Sequence, residues 1–145
     1  YQINQASARI ILVGKLSYIT NWLYSEKADT LSPGSFDGYE RAINVRIRDF
    51  EPYDLWNKQL TQIDHDAKTG IEIFKCYVEA LRDSGYARKT ISEITGIISQ
   101  CLKYASSPLR RDLKYNYMQK LSVLQTDKYS FIVMRGCDSL SFIYN

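Results

Sequence analysis

The segment from Gly85 to Ala105 constrains the fold most strongly, because its apolar residues recur with the period of an α-helix. They fall at i, i+3, i+7, i+10, i+11 and i+14: Ile91, Ile94, Ile98, Cys101, Leu102 and Ala105. This spacing puts them on one side of a helix and leaves the other side to polar residues. The stretch therefore predicts the fourth helix of the chain, which Pro108 closes.

Three further helices are predicted before it. The first runs over about 7–27, where leucine and isoleucine residues recur three and four positions apart. The second begins after Ser32, which can cap it, and ends at Pro52. The third has Asp64 as its N-cap and runs to Asp83, after which a Ser-Gly pair ends it.

After Pro108 the character of the sequence changes. A fifth helix is predicted from an apolar series at Leu113, Tyr117, Leu121 and Leu124. The stretch 128–145 is rich in aromatic and β-branched residues, which favours a β-hairpin. We therefore predict a mainly α fold, a four- to five-helix bundle with this C-terminal hairpin as an open option. Residues 1–108 form the helical domain, and 109–145 are an extension packed on it.

Length and composition are typical of an ordinary globular protein with one core. The apolar runs are too short to span a bilayer, and the sequence opens without the pattern of a secretory leader. Three cysteines, Cys76, Cys101 and Cys137, are odd in number, which excludes a fully paired disulfide framework, and their spacing offers no zinc pattern. A reducing cytoplasm is the simplest compartment for such a chain.

The positive charge is concentrated in the second half of the chain. The formal net charge is +3, but residues 1–81 hold nine Lys/Arg against eleven Asp/Glu, whereas residues 82–145 hold ten against five. A basic half can attract a phosphate backbone and make the binding dependent on salt. Basic residues that merely solvate the surface would give the same asymmetry.

Catalytic patterns are weak. The chain has one histidine, His65, between Asp64 and Asp66, and acids at a helix start are commonly explained by the helix dipole. A metal site built on this turn remains the least favoured alternative. Gly34 and Gly38 are isolated and form no phosphate-binding loop. We therefore predict no enzyme complete within this chain, no cofactor, no metal and no small-molecule substrate.

Binding chemistry is better represented. Basic and hydroxyl side chains on an exposed helix face can donate to phosphate oxygens or reach base edges in the major groove. The fourth helix supplies such a set: Arg88, Lys89, Thr90, Ser92, Thr95 and Lys103. The second helix supplies another: Arg41, Arg46 and Arg48. A solvated polar face is the alternative explanation for each helix taken alone.

At these residues the sequence resembles a known family. Five segments occur in the same order as in the core-binding domain of tyrosine recombinases, the phage-integrase type: ITNWL (19–23), LSPGSFDGYERAI (31–43), LTQI (60–63), IEIF (71–74) and GYARKTISEITGIISQCLKYA (85–105). The resemblance covers about residues 15–108. Its most specific part is the G-x-x-x-K-T-I start of a helix that ends in Tyr-Ala.

The resemblance implies a SAM-like helical bundle that forms one half of a C-shaped clamp on double-stranded DNA. The second and fourth helices of such a domain face the duplex, which makes candidate contacts of Arg41, Lys89, Thr90 and Lys103, with Arg88 in support. The family's catalytic arginines, His-x-x-Arg motif and nucleophilic tyrosine have no counterparts here. The implied role is a DNA-binding module in a bacterial or phage-type cytoplasm, with further copies of itself on DNA as an option and no membrane partner.

A rival hypothesis comes from another functional class. The chain can equally be a helical protein–protein or dimerisation module with no nucleic-acid role. In that case the polar helix faces are solvent-exposed, and an apolar set in the tail forms the partner surface: Phe131, Ile132, Val133, Phe142 and Ile143.

Overall fold

The computed structural model describes residues 14–125, with side chains described up to Leu121. Five helices organise this range: α1 Tyr18–Trp22, α2 Pro33–Ile43, α3 Ala67–Asp83, α4 Arg88–Ala105 and α5 Tyr117–Gln125. The π-helical segments Leu23–Lys27 and Asn44–Arg48 continue α1 and α2, and a single helical turn, Leu60–Ile63, precedes α3. The prediction of a mainly helical bundle is confirmed at this level. The predicted hairpin at 128–145 lies outside the described residues.

The predicted first helix is not helical at residues 14–17. Its predicted residues 7–13 lie outside the described range. The backbone N–H groups of Leu16 and Ser17 donate instead to the carbonyl oxygens of Lys58 and Trp56, at 2.8 and 3.1 Å. These bonds to a distant loop take the donors, so regular helix begins at Tyr18.

The second helix begins as predicted and ends early. The Ser32 side chain accepts from the backbone N–H of Ser35 at 3.2 Å, and Pro33 occupies the first helical position. The helical path ends at Arg48 rather than at Pro52. The chain turns there because Phe50 enters the core and packs edge-on against Tyr77, with ring centroids 5.9 Å apart.

The third helix is capped by a different acid from the one predicted. Asp66 accepts from the backbone N–H of Thr69 at 2.7 Å and is the N-cap of α3. Asp64 instead accepts from the backbone N–H of Lys114 at 3.1 Å and from the Tyr117 hydroxyl. Asp64, the predicted N-cap, thus binds residues that lie about 50 positions later in the sequence. The predicted end at Asp83 is confirmed.

The fifth helix is shorter than predicted. Leu113 is buried, but it lies in an irregular segment whose N–H groups at Asp112 and Leu113 both donate to the Ala105 carbonyl oxygen, at 2.8 and 3.1 Å. The helix begins only after Asn116, whose side-chain oxygen accepts from the Gln119 N–H at 3.1 Å. From there α5 packs against both α3 and α4, which places it on the same core.

The core lies where α3, α4 and α5 meet the two N-terminal helices. All six apolar residues predicted for α4 are buried in it, and so is Ile97. Cys101 is a free thiol there, and burial raises its pKa far above the ordinary value.

Cys76 is disulfide-bonded, a state that is uncommon in reducing compartments. The cytoplasmic location therefore stays a prediction. Between residues 14 and 125, no helix combines the length and apolarity needed to cross a bilayer.

Two tyrosines fully buried in this core predict loss of stability in alkali. Burial raises the pKa of both Tyr18 and Tyr77 well above 10, while in the unfolded chain tyrosine titrates near 10. The unfolded state therefore loses its phenolic protons first, and rising pH favours unfolding. We expect each tyrosine to remove about 1.4 kcal/mol of unfolding free energy per pH unit above 10.

Urea unfolding measured from pH 8 to 11 checks this expectation. Tyr77→Phe is the matched variant, because it keeps the ring and removes only the hydroxyl, which donates to the Arg46 carbonyl oxygen at 2.7 Å. Its free energy of unfolding should fall less steeply with pH than that of the wild type. Parallel pH profiles for the two proteins would contradict the assignment.

Candidate nucleic-acid interface

One side of α4 is buried along its whole length, and the opposite side carries the predicted polar set. Arg88, Lys89, Ser92 and Lys103 are exposed, while Thr90 and Thr95 are half-buried at the edges of this face. Lys89, Ser92, Gly96 and Lys103 are spaced by three, four and seven residues, which aligns them along one exposed line. The fold therefore brings these α4 residues onto one continuous polar surface.

One of the predicted hydroxyl contacts is already engaged within the helix. The Thr95 hydroxyl donates to the carbonyl oxygen of Ser92 at 3.1 Å, which leaves its oxygen lone pairs as acceptors. The exposed hydroxyl of Ser92 is better placed to donate to an external phosphate. The two residues thus differ in what they can offer a ligand.

The beginning of α4 is electropositive. Its N-cap is Ala87, no side chain in the described range caps it, and the first turn contains Arg88 and Lys89 but no acid. The first N–H groups of an α-helix have no partners within the helix, and they carry the positive end of its dipole. Gly85, with φ at 90°, ends α3 and makes the turn that exposes this end. Anion binding is the chemistry that such a helix start favours.

The three arginines of the second helix have different surroundings. Arg41, in the last turn of α2, is exposed. Arg46 is half-buried, and its guanidinium lies 5.6 Å from the centre of the Tyr86 ring. Arg48 forms an ion pair with Asp49 at 2.9 Å, whose hydrogen bond raises the pKa of the arginine and lowers that of the carboxyl. Arg41 is thus the arginine most accessible to a ligand.

Direct contacts join the second and fourth helices. The Gln100 side chain on α4 donates to the Tyr39 hydroxyl on α2 at 3.1 Å. Tyr86, which lies just before α4, holds the Arg46 guanidinium from the π-helical continuation of α2 against its ring. Because of these contacts the two helices form one surface, with Arg46 beside the basic start of α4.

The Asp64–Asp66 turn is divided among separate structural tasks. Asp64 binds the segment before α5, and Asp66 caps α3. A hydrogen bond from the Thr69 backbone N–H lowers the pKa of the Asp66 carboxyl, and a smaller contribution comes from a hydrogen bond with the Thr69 side chain. His65 is exposed, with its Nε2 atom 3.7 Å from Asp66. Among residues 14–125 no three His, Cys, Asp or Glu side chains are grouped to hold a metal ion.

A second basic feature was not singled out from the sequence. A cleft of about 390 Å³ opens directly after α4, and its lining includes Ser106, Arg111, Lys114 and Tyr115. In the sequence this feature corresponds to the basic residues after Pro108, which were included in the predicted fifth helix. The cleft brings together Arg111 and Lys114, two of the basic residues that follow α4 in the sequence.

Comparison with known proteins adds no assignment. No family model, no curated protein and no solved structure matches the chain.

Proposed function

We propose that this chain is a duplex DNA-binding module that contacts the double helix through α2 and α4, in the manner of a tyrosine recombinase core-binding domain. It performs no catalysis itself, and the SAM-like arrangement of its helices is part of the proposal. The observation that carries it is the exposed line on α4, which has Lys89 at one end and Lys103 at the other and a fully apolar face behind it.

The length of this line fits a duplex. Lys89 and Lys103 are separated by 14 residues, or about 21 Å at 1.5 Å per residue. The major groove is about 12 Å wide, so lysines at this separation can reach the phosphates that border it while the middle of the helix faces the groove. Most of the affinity then comes from phosphates, with limited base readout by Ser92 and Thr95.

The second helix contributes at the edge of this surface. Arg41 is exposed and free to meet a phosphate, whereas Arg46 is held on the Tyr86 ring beside the start of α4. An arginine fixed in this way loses less conformational entropy on binding than a freely rotating one. Arg41 and Arg46 therefore supplement the contacts of Arg88 and Lys89.

Salt dependence of binding tests the proposal. A fluorescent duplex of mixed sequence is titrated with the protein between 50 and 200 mM salt. With about four phosphate contacts, log K should fall with log salt with a slope of about −3.6, or about 100-fold over this range. No binding at low salt, or binding insensitive to salt, would refute the proposal.

Sizing by light scattering, run beside that titration, distinguishes the rival function. A protein–protein or dimerisation module gives a mass that rises with concentration and no retention of the duplex. A DNA-binding module gives a mass change that depends on the duplex. Several copies per duplex would extend the proposal to assembly on DNA, as the recombinase resemblance implies.

A further inference from the structure

Two glycines in helix interiors have no explanation within the described residues. An added Cβ at Gly38 of α2 or at Gly96 of α4 would meet no atom within 4 Å among them. Glycine weakens a helix interior relative to alanine, because it gives up more conformational freedom on folding. Gly70 of α3 differs, because the Tyr117 ring occupies the space of its missing side chain. Close packing inside the chain therefore accounts for Gly70 alone of these three.

Gly96 has a distinctive position on the proposed DNA-binding surface. It lies seven residues after Lys89 and seven before Lys103, on the same exposed line and about 10 Å along the axis from each. Ser92 precedes it by one turn. The position without a side chain is thus midway between the two exposed lysines of α4.

We propose that α4 approaches duplex DNA most closely at Gly96, where the missing side chain lets the helix backbone lie against the wall of the major groove. This inference rests on the proposed function and names a positioning residue for it. With the backbone this close, Lys89 and Lys103 reach phosphates on either side. A side chain at this position holds the whole helix away and lengthens both contacts.

The charge of α4 favours an anionic occupant. Of the 18 residues of α4 only Glu93 is acidic, against three basic residues. The bond from Gln100 to Tyr39, the neighbour of Gly38, places the second unexplained glycine beside the same α2–α4 contact. Gly38 lies between Asp37 and Glu40, so positive charge flanks the bare backbone only at Gly96. There the exposed lysines on either side are complementary to a DNA groove bordered by phosphates.

The test uses the opposite signs expected for stability and affinity. Gly96→Ala should raise the melting temperature by about 4 °C, because alanine favours the helix and its Cβ meets open space. The same variant should bind the mixed-sequence duplex about tenfold more weakly, and Gly96→Leu more weakly still. Gln119→Ala, at an exposed position of α5, is the control for a more helical protein with unchanged affinity.

The lysine variants separate this inference from the proposed function. Gly96→Ala that binds as tightly as the wild type, while replacement of Lys89 and Lys103 by glutamate still weakens binding, overturns the role of Gly96 and leaves DNA binding intact. Failure of the wild type to bind the duplex overturns both. Weaker binding by Gly96→Ala together with a higher melting temperature supports the inference, since loss of folding cannot explain it.

Discussion

Replacing Lys89 and Lys103 together by glutamate is expected to lower the affinity for duplex DNA by about 100-fold at low salt. Both lysines are exposed on the polar side of α4. Each change removes one of the proposed phosphate contacts and adds a charge that the phosphates repel. The slope of log K against log salt should also become shallower by about two, because two fewer counterions are released.

The matched control carries the same change in charge elsewhere. Lys15→Glu with Lys68→Glu alters two exposed lysines that lie on neither α2 nor α4, and it likewise lowers the formal net charge of +3 by four. If binding depends on the α4 surface, this control loses much less affinity than the α4 pair. Equal losses in the two double variants would mean that overall charge, and not this surface, attracts the DNA.

The α4 surface was predictable from sequence because a helix face depends on local spacing. The positions of Ile91 to Ala105 determine which side is apolar, and the exposed side follows from them. The surroundings of Arg46 were not predictable in this way. Its contact with Tyr86 joins residues 40 positions apart, and no local pattern indicates it. The sequence therefore predicts the exposed polar face of α4 but not which arginines are held within the fold.

The choice between Asp64 and Asp66 shows the same limit. Both are good N-cap residues, and both precede the apolar series of α3. The outcome depends on Lys114 and Tyr117, about 50 residues later, which engage Asp64 and leave Asp66 to cap the helix. The N-terminal boundary of α3 thus depends on contacts with residues far from it in the sequence.

The packing role of Gly70 is not evident from the sequence. It looks like a helix-weakening glycine in the second turn of α3, yet it is buried where α5 crosses. A Cβ there would lie 2.4 Å from the ring of Tyr117 and 2.7 Å from the Ile63 carbonyl oxygen. Both neighbours are constrained. The Tyr117 ring is fully buried and its hydroxyl binds Asp64, and the Ile63 oxygen belongs to the backbone.

Gly70→Ala is therefore expected to destabilise the fold by about 2 kcal/mol. Overpacking in a tight contact costs up to about 3 kcal/mol, and the better helix propensity of alanine returns about 1 kcal/mol. Urea unfolding followed by circular dichroism measures the difference. The buried ring and the backbone oxygen have to move together, so α5 should also become less protected in amide hydrogen exchange.

Gly38→Ala is the matched control, because it makes the same substitution in a helix interior where the added Cβ meets open space. It should stabilise the protein by about 0.5–1 kcal/mol, the ordinary gain for such a change. Opposite signs for the two variants would show that the close approach of α5, and not helix propensity, determines the effect at Gly70. If Gly70→Ala were also stabilising, α5 could not pack on α3 through Tyr117, and the segment that binds Asp64 would have to lie elsewhere.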